Sequence, residues 1–195
     1  MLLPLRQNEQ NPVAIPVPMV PSGMAVPAVL VVMGVSGSGK TTVGSLVAGR
    51  LGWRYAEADA FHSEANVAKM AAGHPLTDDD RWPWLAAIAA WIDDRIARRE
   101  AGVVTCSALK RSYRKLLTRP EVAFVYLEGS HELIAQRLAA RRGHFFKADM
   151  LASQFADLEP PAPDEPAVTV PIDGTPEQIA DAIIAKTGLA TVVPR

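Results

Sequence analysis

The chain has 195 residues, 49% hydrophobic and 21% charged, and this composition predicts one soluble globular domain with a buried core. A formal net charge of −1 excludes a global attraction to nucleic acid or anionic membranes, so any anion binding is expected to be local. The single cysteine, Cys106, excludes an intramolecular disulfide and a multi-cysteine metal site, and its apolar surroundings predict a buried side chain.

The N-terminal residues 1–24 are predicted to form a proline-rich, disordered tail. Prolines at positions 4, 12, 16, 18, 21 and 27 interrupt any apolar run that a signal peptide would need. No apolar run approaches the ~18 residues of a membrane helix. We therefore expect a cytoplasmic protein with no membrane partner, folded over residues 25–188 and ending in a short tail, residues 189–195.

Short apolar runs alternate with helical patterns from residue 28 onward. The runs predict strands at 28–33, 53–59, 102–107, 122–129 and 167–173. The intervening patterns predict helices at 40–51, from Ser63 to about Ala72, from the aspartates 78–80 to about Glu100, at 108–119, 130–142 and 149–157, and from "TPEQ" to near Gly188. This alternation predicts a parallel sheet with helices on both faces, and ligands beyond the carboxyl ends of the strands.

The segment "GVSGSGKT", from Gly34 to Thr41, matches the phosphate-loop pattern G-x-x-x-x-G-K-[ST]. A predicted strand precedes it and a predicted helix follows, as the pattern requires, whereas a glycine-rich turn without a ligand is the alternative. Its backbone N–H groups would bind phosphates, Lys40 would reach the β- and γ-phosphates, and the Thr41 hydroxyl would ligate Mg²⁺. The predicted ATP-binding residues are Gly34, Val35, Ser36, Gly37, Ser38, Gly39, Lys40, Thr41 and Thr42.

A phosphate loop indicates nucleotide binding without indicating a reaction, so a second substrate must be sought elsewhere. Asp59 follows the second predicted strand, at the same edge of the sheet as the loop. Its carboxylate could orient an acceptor hydroxyl and take its proton, or instead cap the next helix. The donors His62, Lys69, His74 and Arg81 follow. Arg81 suits bidentate binding of a carboxylate, or an ion pair with Asp78 or Asp79.

Two further basic segments allow more than one interpretation. Arg137 and Arg141 are four residues apart, on one face of a predicted helix, where they could close over the phosphates or form a solvated face. The other run, "LKRSYRKLLTR" at 109–119, is interpreted mostly as a solvated helix face.

Taken together, these motifs closely resemble those of the bacterial gluconokinase family, small P-loop kinases related to shikimate and nucleoside monophosphate kinases. The resemblance covers about residues 25–188 and rests on specific segments. These are "MGVSGSGKTT", "ADAFHSEANVAKMAAGHPLTDDDRWPWL", "CSALKRSYR", "YLEG", "RLAARRGHFFKADMLASQF" and "LEPP".

The resemblance implies a three-layer α/β P-loop kinase fold, with a five-stranded parallel sheet and a mobile lid. It implies ATP-dependent phosphorylation of D-gluconate to 6-phosphogluconate with Mg²⁺, and a homodimer as in many family members. By position, the sugar-acid site would comprise Asp59, His62, Asn66, Lys69, Arg81 and, from the lid, His144. Lys40, Asp59, Arg137 and Arg141 would be the catalytic residues. Under this resemblance Arg81 becomes a carboxylate ligand and the lid arginines become phosphate ligands.

The chain departs from the family at two positions. Glu57 stands where an aspartate is common, with a side chain one methylene longer that alters any contact with the shell of the metal. Thr42 replaces a common serine and retains a hydroxyl. Two alternative functions remain at this point: a kinase for another small hydroxy acid, such as shikimate, and a nucleotide-binding module without transfer activity.

Overall fold

The computed structural model describes residues 27–140 and 148–190, which form an α/β fold. The strands are β1 (Val29–Met33), β2 (Arg54–Glu57), β3 (Gly102–Thr105), β4 (Val122–Glu128) and β5 (Ala167–Pro171). The helices are α1 (Lys40–Leu51), α2 (Glu64–Ala71), α3 (Asp78–Ala97), α4 (Arg111–Leu117), α5 (His131–Ala140), α6 (Ala148–Asp157) and α7 (Pro176–Thr187), with a 3₁₀ turn at Ala58–Phe61.

The five strands form one parallel sheet in the order β2-β3-β1-β4-β5. The predicted parallel α/β fold is therefore confirmed. The central strand β1 pairs with β3 on one side and β4 on the other, so the phosphate loop that follows β1 leaves from the middle of the sheet. This is the edge at which α/β folds place their ligands.

Side chains alternate along β1 between two hydrophobic layers, although every residue of the strand is fully buried. Leu30 and Val32 pack with α1, α5, α6 and α7, whereas Val29, Val31 and Met33 pack with α3 and α4. Because successive residues of a strand point to opposite faces, this pattern covers the sheet on both sides. The predicted three-layer architecture is confirmed.

Local capping signals set the beginnings of several helices, as the sequence predicts. Ser63 accepts a hydrogen bond from the Asn66 amide at the start of α2. Thr175 and Gln178 form the predicted capping box of α7, with proline at its first position, and Gly188 ends that helix with φ 65°. Such side-chain acceptors satisfy amides that have no partner within the helix.

Two predicted elements are shorter in the structure. The strand predicted to reach Asp59 ends at Glu57, where the chain enters the 3₁₀ turn and the Trp84 indole donates to the Ala58 carbonyl at 2.6 Å. The helix predicted to begin at Ala108 begins at Arg111, because Ala108 adopts a left-handed φ of 44° and Lys110 is extended.

The interpretation of residues 109–119 as mostly a solvated helix face is wrong. Within α4, Tyr113, Arg114 and Leu117 are buried. The Arg114 guanidinium donates to the Ala108 and Leu109 carbonyls at 3.1 Å each, and it also contacts Glu165. A charged side chain can be buried when its charge and its hydrogen-bond donors are paired. The sequence of residues 109–119 gave no indication that Glu165 is the partner of Arg114.

The predicted tails fall largely outside the described residues, as do residues 141–147 within the predicted lid. No helix in the part of the chain that the structure describes is long and apolar enough to cross a membrane.

Candidate active site

The phosphate loop leaves β1 through three glycines with positive φ: Gly34 at 141°, Gly37 at 84° and Gly39 at 97°. A Cβ on Gly34 would lie 3.0 Å from the Leu127 carbonyl oxygen, and one on Gly37 would lie 2.7 Å from Leu138. Glycine is needed here for both backbone conformation and space. The loop therefore has the backbone form of an anion-binding nest at the N-terminus of α1.

Lys40 begins α1, and its side chain folds back over the loop. Its Nζ donates to the Val35 carbonyl at 2.9 Å. Thr41 and Thr42 are exposed in the first turn of the helix, and Ser38 is fully buried with an Oγ that has no hydrogen-bond partner among the described residues. The predicted role of these residues in binding phosphate stays a prediction.

Tyr55 links the start of α1 to the end of β2. Its hydroxyl lies 3.2 Å from the Thr41 carbonyl oxygen and 3.0 Å from Glu57 Oε1, so its proton can be donated to either. Burial raises the pKa of Tyr55 to about 12; the Glu57 carboxylate also raises it, whereas hydrogen bonds with Thr105 and Thr41 lower it. Tyr55 therefore remains protonated at neutral pH and holds the Glu57 carboxylate close to Thr41.

The oxygen donors of Thr41 and Glu57 fit Mg²⁺, which prefers hard oxygen ligands and usually shares its shell with substrate phosphates and water. Among the described residues, no group of three or more His, Cys, Asp or Glu side chains could hold a metal ion. Any Mg²⁺ here would thus be held by Thr41 together with the nucleotide, with Glu57 available to its water shell.

Asp59 lies in the 3₁₀ turn after β2, with an exposed side chain. It does not cap α2, because Ser63 does. Burial raises the pKa of the nearby Cys106 thiol to about 12, and smaller contributions come from the charges of Lys40, which lowers it, and Asp59, which raises it. Lys40 and Asp59 lie beyond the carboxyl ends of β1 and β2, which are the two parallel neighbours of β3 in the sheet.

His62 stacks on Trp84, with ring centroids 4.5 Å apart and planes inclined by 10°. Its Nδ1 is buried and has no hydrogen-bond partner within the described ranges. Burial lowers the pKa of His62, while the Asp59 charge raises it and the Arg81 charge lowers it further. His62 is thus a neutral imidazole at neutral pH, within electrostatic range of both Asp59 and Arg81.

Asn66 and Lys69 both contact Asp80 in the first turn of α3. The buried Asn66 side chain donates to the Asp80 carbonyl at 2.8 Å, and Lys69 forms an ion pair with the Asp80 carboxylate. Hydrogen bonds from Lys69 and Thr77 lower the pKa of Asp80 to about 2. These contacts join α2 to α3, and the predicted role of both residues in binding substrate stays a prediction.

Arg81 lies in a cluster that the sequence only partly predicts, here called the acceptor cluster: Asp78, Arg81, Lys110, Tyr113 and Asp157. Arg81 donates to the Tyr113 hydroxyl at 3.0 Å and lies 3.8 Å from Asp78. The alternative of an ion pair with Asp78 is thus present in the structure. Tyr113 and Lys110 both donate to Asp78, at 2.5 Å and 3.0 Å, and these hydrogen bonds lower the pKa of Asp78.

Arg137 lies on α5, where its guanidinium donates to the Ile172 carbonyl just beyond β5. β5 is one edge of the sheet and β2, which Asp59 follows, is the other, with three strands between them. The structure therefore does not bring Arg137 to Asp59. Arg141 and His144, also predicted for the lid, lie outside the described residues.

The sequence did not single out Lys110, Tyr113 or Gln154, yet Tyr113 and Gln154 contact predicted site residues and Lys110 contacts Asp78 beside Arg81. Lys110 and Tyr113 join Arg81 in the acceptor cluster, and Gln154 on α6 binds Ser36 of the phosphate loop. Lys110 follows β3 in "CSALK", so the rule that ligands bind beyond the strand ends could have identified it. No local pattern marks Gln154.

The arrangement combines two chemical capabilities at one sheet edge. The glycine loop offers backbone donors and Lys40 to a polyphosphate, and the loop after β2 offers the exposed Asp59 carboxylate to a hydroxyl. The acceptor cluster adds two cations, Arg81 and Lys110, each within 4 Å of Asp78 and Asp157. Such an arrangement suits phosphoryl transfer from a nucleotide to a small anionic alcohol.

Comparison with known proteins identifies the family of the chain. The shikimate kinase family matches residues 36–186. A gluconokinase of Gluconobacter oxydans (strain 621H) is 48% identical over 160 residues, covering 81% of this chain and 90% of the relative.

Two solved structures resemble the whole kinase region. A gluconokinase from Sinorhizobium meliloti 1021 is 44% identical with a TM-score of 0.76, covering 84% of this chain and 93% of its own. An unliganded sugar kinase from Janibacter sp. HTCC2649 is 46% identical with a TM-score of 0.78, covering 84% and 96%. The chain therefore belongs to the gluconokinases, within the shikimate kinase family.

Proposed function

We propose that this protein transfers the γ-phosphoryl group of ATP to the C6 hydroxyl of D-gluconate, forming 6-phosphogluconate and ADP for carbohydrate catabolism. The observation that carries the proposal is the position of Lys40 and Asp59 just beyond the carboxyl ends of β1 and β2, which both pair with β3, with Arg81 in the acceptor cluster. The gluconokinases and the sugar kinase that resemble the chain support the choice of a sugar acid. The kinase domain spans residues 25–188.

The phosphate loop would hold the donor. Amides of the segment from Gly34 to Thr42 bind the phosphates, and Lys40 exchanges its contact with the Val35 carbonyl for the transferring group. Thr41 would hold Mg²⁺, with Glu57 near its water shell. Bound Mg²⁺ would neutralise charge on the β- and γ-phosphates.

Asp59 would orient the C6 hydroxyl toward the γ-phosphorus. As the new bond from the hydroxyl oxygen to phosphorus forms, the bond from phosphorus to the β–γ bridging oxygen breaks, ADP leaves and the hydroxyl proton passes to Asp59. Charge on the transferring group would be balanced by Lys40 and by Arg137 and Arg141. For Arg137 this requires release from the Ile172 carbonyl.

The remainder of gluconate would lie over α2 and the beginning of α3. Arg81 would bind the carboxylate with its planar fork of donors, and His62, Asn66, Lys69 and His144 would bind hydroxyls. Because burial keeps His62 neutral, one of its ring nitrogens can accept a hydrogen bond from a sugar hydroxyl. The enzyme would act in the cytoplasm, without nucleic-acid or membrane partners, and form a homodimer as the family resemblance implies.

The test is ADP release from ATP with a panel of sugar acids and shikimate, with and without Mg²⁺. We expect turnover that depends on both gluconate and Mg²⁺, and ³¹P NMR should place the phosphate at C6. The Asp59→Asn variant, purified in parallel, controls for contaminating kinases. Turnover with another acid but not with gluconate would refute the proposed substrate, and nucleotide binding without turnover would indicate a module that lacks transfer activity.

A further inference from the structure

Gln154, on α6, is hydrogen-bonded to the phosphate loop through both ends of its carboxamide. The Ser36 amide donates to Gln154 Oε1 at 2.6 Å, and Gln154 Nε2 donates to Ser36 Oγ at 3.0 Å. The two residues are 118 positions apart in the sequence, so only the fold brings them together. Ser36 thus has both its backbone donor and its side-chain acceptor occupied by one residue.

The hydrogen bonds between Gln154 and Ser36 restrain the phosphate loop next to a glycine, where the backbone has the greatest conformational freedom. Ser36 is followed by Gly37, whose φ is 84°, and glycines lose the most conformational freedom on folding. Leu138 of α5 fills the space that a Cβ of Gly37 would occupy. Other elements of the fold therefore restrain two adjacent loop residues. Gly37 packs against α5, and Ser36 is hydrogen-bonded to α6.

The helix that carries Gln154 is itself anchored on both sides of this residue. Leu151 is 2% exposed and packs in the core, whereas Asp157 lies 3.9 Å from both Arg81 and Lys110 of the acceptor cluster. Residues three apart are neighbours on a helix surface, so Gln154 lies next to Leu151 on one side and next to Asp157 on the other. Just beyond the helix, the Glu159 amide donates to the Leu109 carbonyl at 2.9 Å.

We propose that Gln154 is a positioning residue that holds the phosphate loop in register with the acceptor cluster. One turn of α6 would fix the distance between the donor half of the site, through Ser36, and the acceptor half, through Asp157. In-line transfer depends on this distance, because small misplacements of reacting groups reduce rates strongly. The inference takes the identity of the phosphoryl acceptor from the proposed function. The contact between Gln154 and the phosphate loop does not depend on that function.

Gln154→Met separates hydrogen bonding from packing, because methionine has nearly the volume of glutamine but neither its donor nor its acceptor. We expect kcat/KM for ATP to be about tenfold lower in this variant than in the wild type, because one or two hydrogen bonds that order the loop are lost. The KM for gluconate should change less than about twofold, and the unfolding midpoint should shift by less than about 3 °C. Ser153→Ala, an exposed substitution on the same helix, is the matched control.

A double-mutant cycle tests whether the effect passes through Ser36. Ser36→Ala removes the hydrogen bond to Oγ but keeps the one from the amide. If Gln154 acts through this residue, Gln154→Met should lower kcat/KM by a smaller factor in the Ser36→Ala background than in the wild type. The inference would be overturned if the reductions in kcat/KM caused by the two substitutions multiplied in the double variant. It would also be overturned if Gln154→Met had the same kcat/KM as Ser153→Ala.

Direct binding of Mg²⁺–ADP, measured by calorimetry without any acceptor, keeps the inference separate from the proposed function. We expect a dissociation constant several-fold weaker for Gln154→Met than for the wild type or Ser153→Ala. If wild-type protein fails to phosphorylate gluconate, the proposed function fails while this comparison still tests Gln154. The inference would be overturned if the dissociation constant of Gln154→Met were unchanged. It would also be overturned if the loss of binding were explained by the fraction of unfolded variant protein. Should Gln154→Met not fold, Ser36→Ala alone must weaken nucleotide binding, and an unchanged value would refute the proposal.

Discussion

Arg114 and Glu165 form a two-pronged ion pair inside the protein, with Nε to Oε2 at 2.6 Å and a second nitrogen to Oε1 at 2.9 Å. The Arg114 side chain is 1% exposed and that of Glu165 9%. The pair fastens α4, whose first turn contributes to the acceptor cluster, to the segment before β5. This pairing lowers the pKa of Glu165.

Removing one partner should destabilise the fold, because the other charge would remain buried without compensation. We expect Arg114→Ala to lower the free energy of unfolding by about 3 kcal/mol, measured by urea denaturation. The matched control is Arg98→Ala, which removes a solvent-exposed pair with Asp94 and should lower the free energy of unfolding far less. Equal losses in the two variants would contradict the assignment of a buried, structurally important pair.

Asp59 is predicted to act in the chemical step and not in nucleotide binding. Asp59→Asn should lower kcat by about a hundredfold or more, because the amide can orient a hydroxyl but cannot take its proton. The dissociation constant for Mg²⁺–ATP should stay within about threefold of the wild type. Asp181→Asn, on α7, makes the same chemical change at a surface pair with Arg50 and should retain wild-type kcat. Parallel losses of kcat and nucleotide affinity would refute the role.

Arg81 is predicted to bind the carboxylate of gluconate, although the structure also places it near Asp78 and Asp157. Arg81→Lys keeps the charge but lacks the planar fork that binds a carboxylate through two donors. We expect the KM for gluconate to rise about fivefold or more while the KM for ATP changes little. An unchanged KM for gluconate would mean that Arg81 only joins α3 to α4 and α6.

His62 should make stability depend on pH. Because burial lowers its pKa in the folded protein, the unfolded chain binds a proton more readily, and stability should fall as the pH drops below the ordinary value of 6.5 toward the folded-state pKa. Above 6.5 the imidazole is neutral in both states, so its contribution there should be constant.

Urea unfolding between about pH 7.5 and pH 5 tests this expectation. Loss of stability over that range should be smaller for His62→Gln than for the wild type. The other three histidines are common to both proteins, so the difference between the two profiles isolates His62. Superimposable profiles would contradict a lowered pKa at this position.

Several parts of the site could be predicted because their signals are local. The pattern "GVSGSGKT" needs only neighbouring residues to form a nest, and the structure confirms positive φ at Gly34, Gly37 and Gly39. The strand-end position of Asp59 follows from the order of strands and helices. Asn66 and Lys69 show the limit of this reasoning. The family resemblance assigned both to the sugar-acid site, but nothing in the sequence indicated that Asp80 accepts hydrogen bonds from both residues.

The sequence by itself determined the alternation of strands and helices, the helix caps and the phosphate loop, since each depends on hydrogen bonds and periodicities within a few residues. Only the tertiary structure decided which charges are paired. The buried Arg114 meets Glu165 across 51 positions, and Gln154 meets Ser36 across 118. Such contacts arise when the sheet and its helices pack. A basic residue in a helical run therefore has the same local signature whether it becomes solvated or buried.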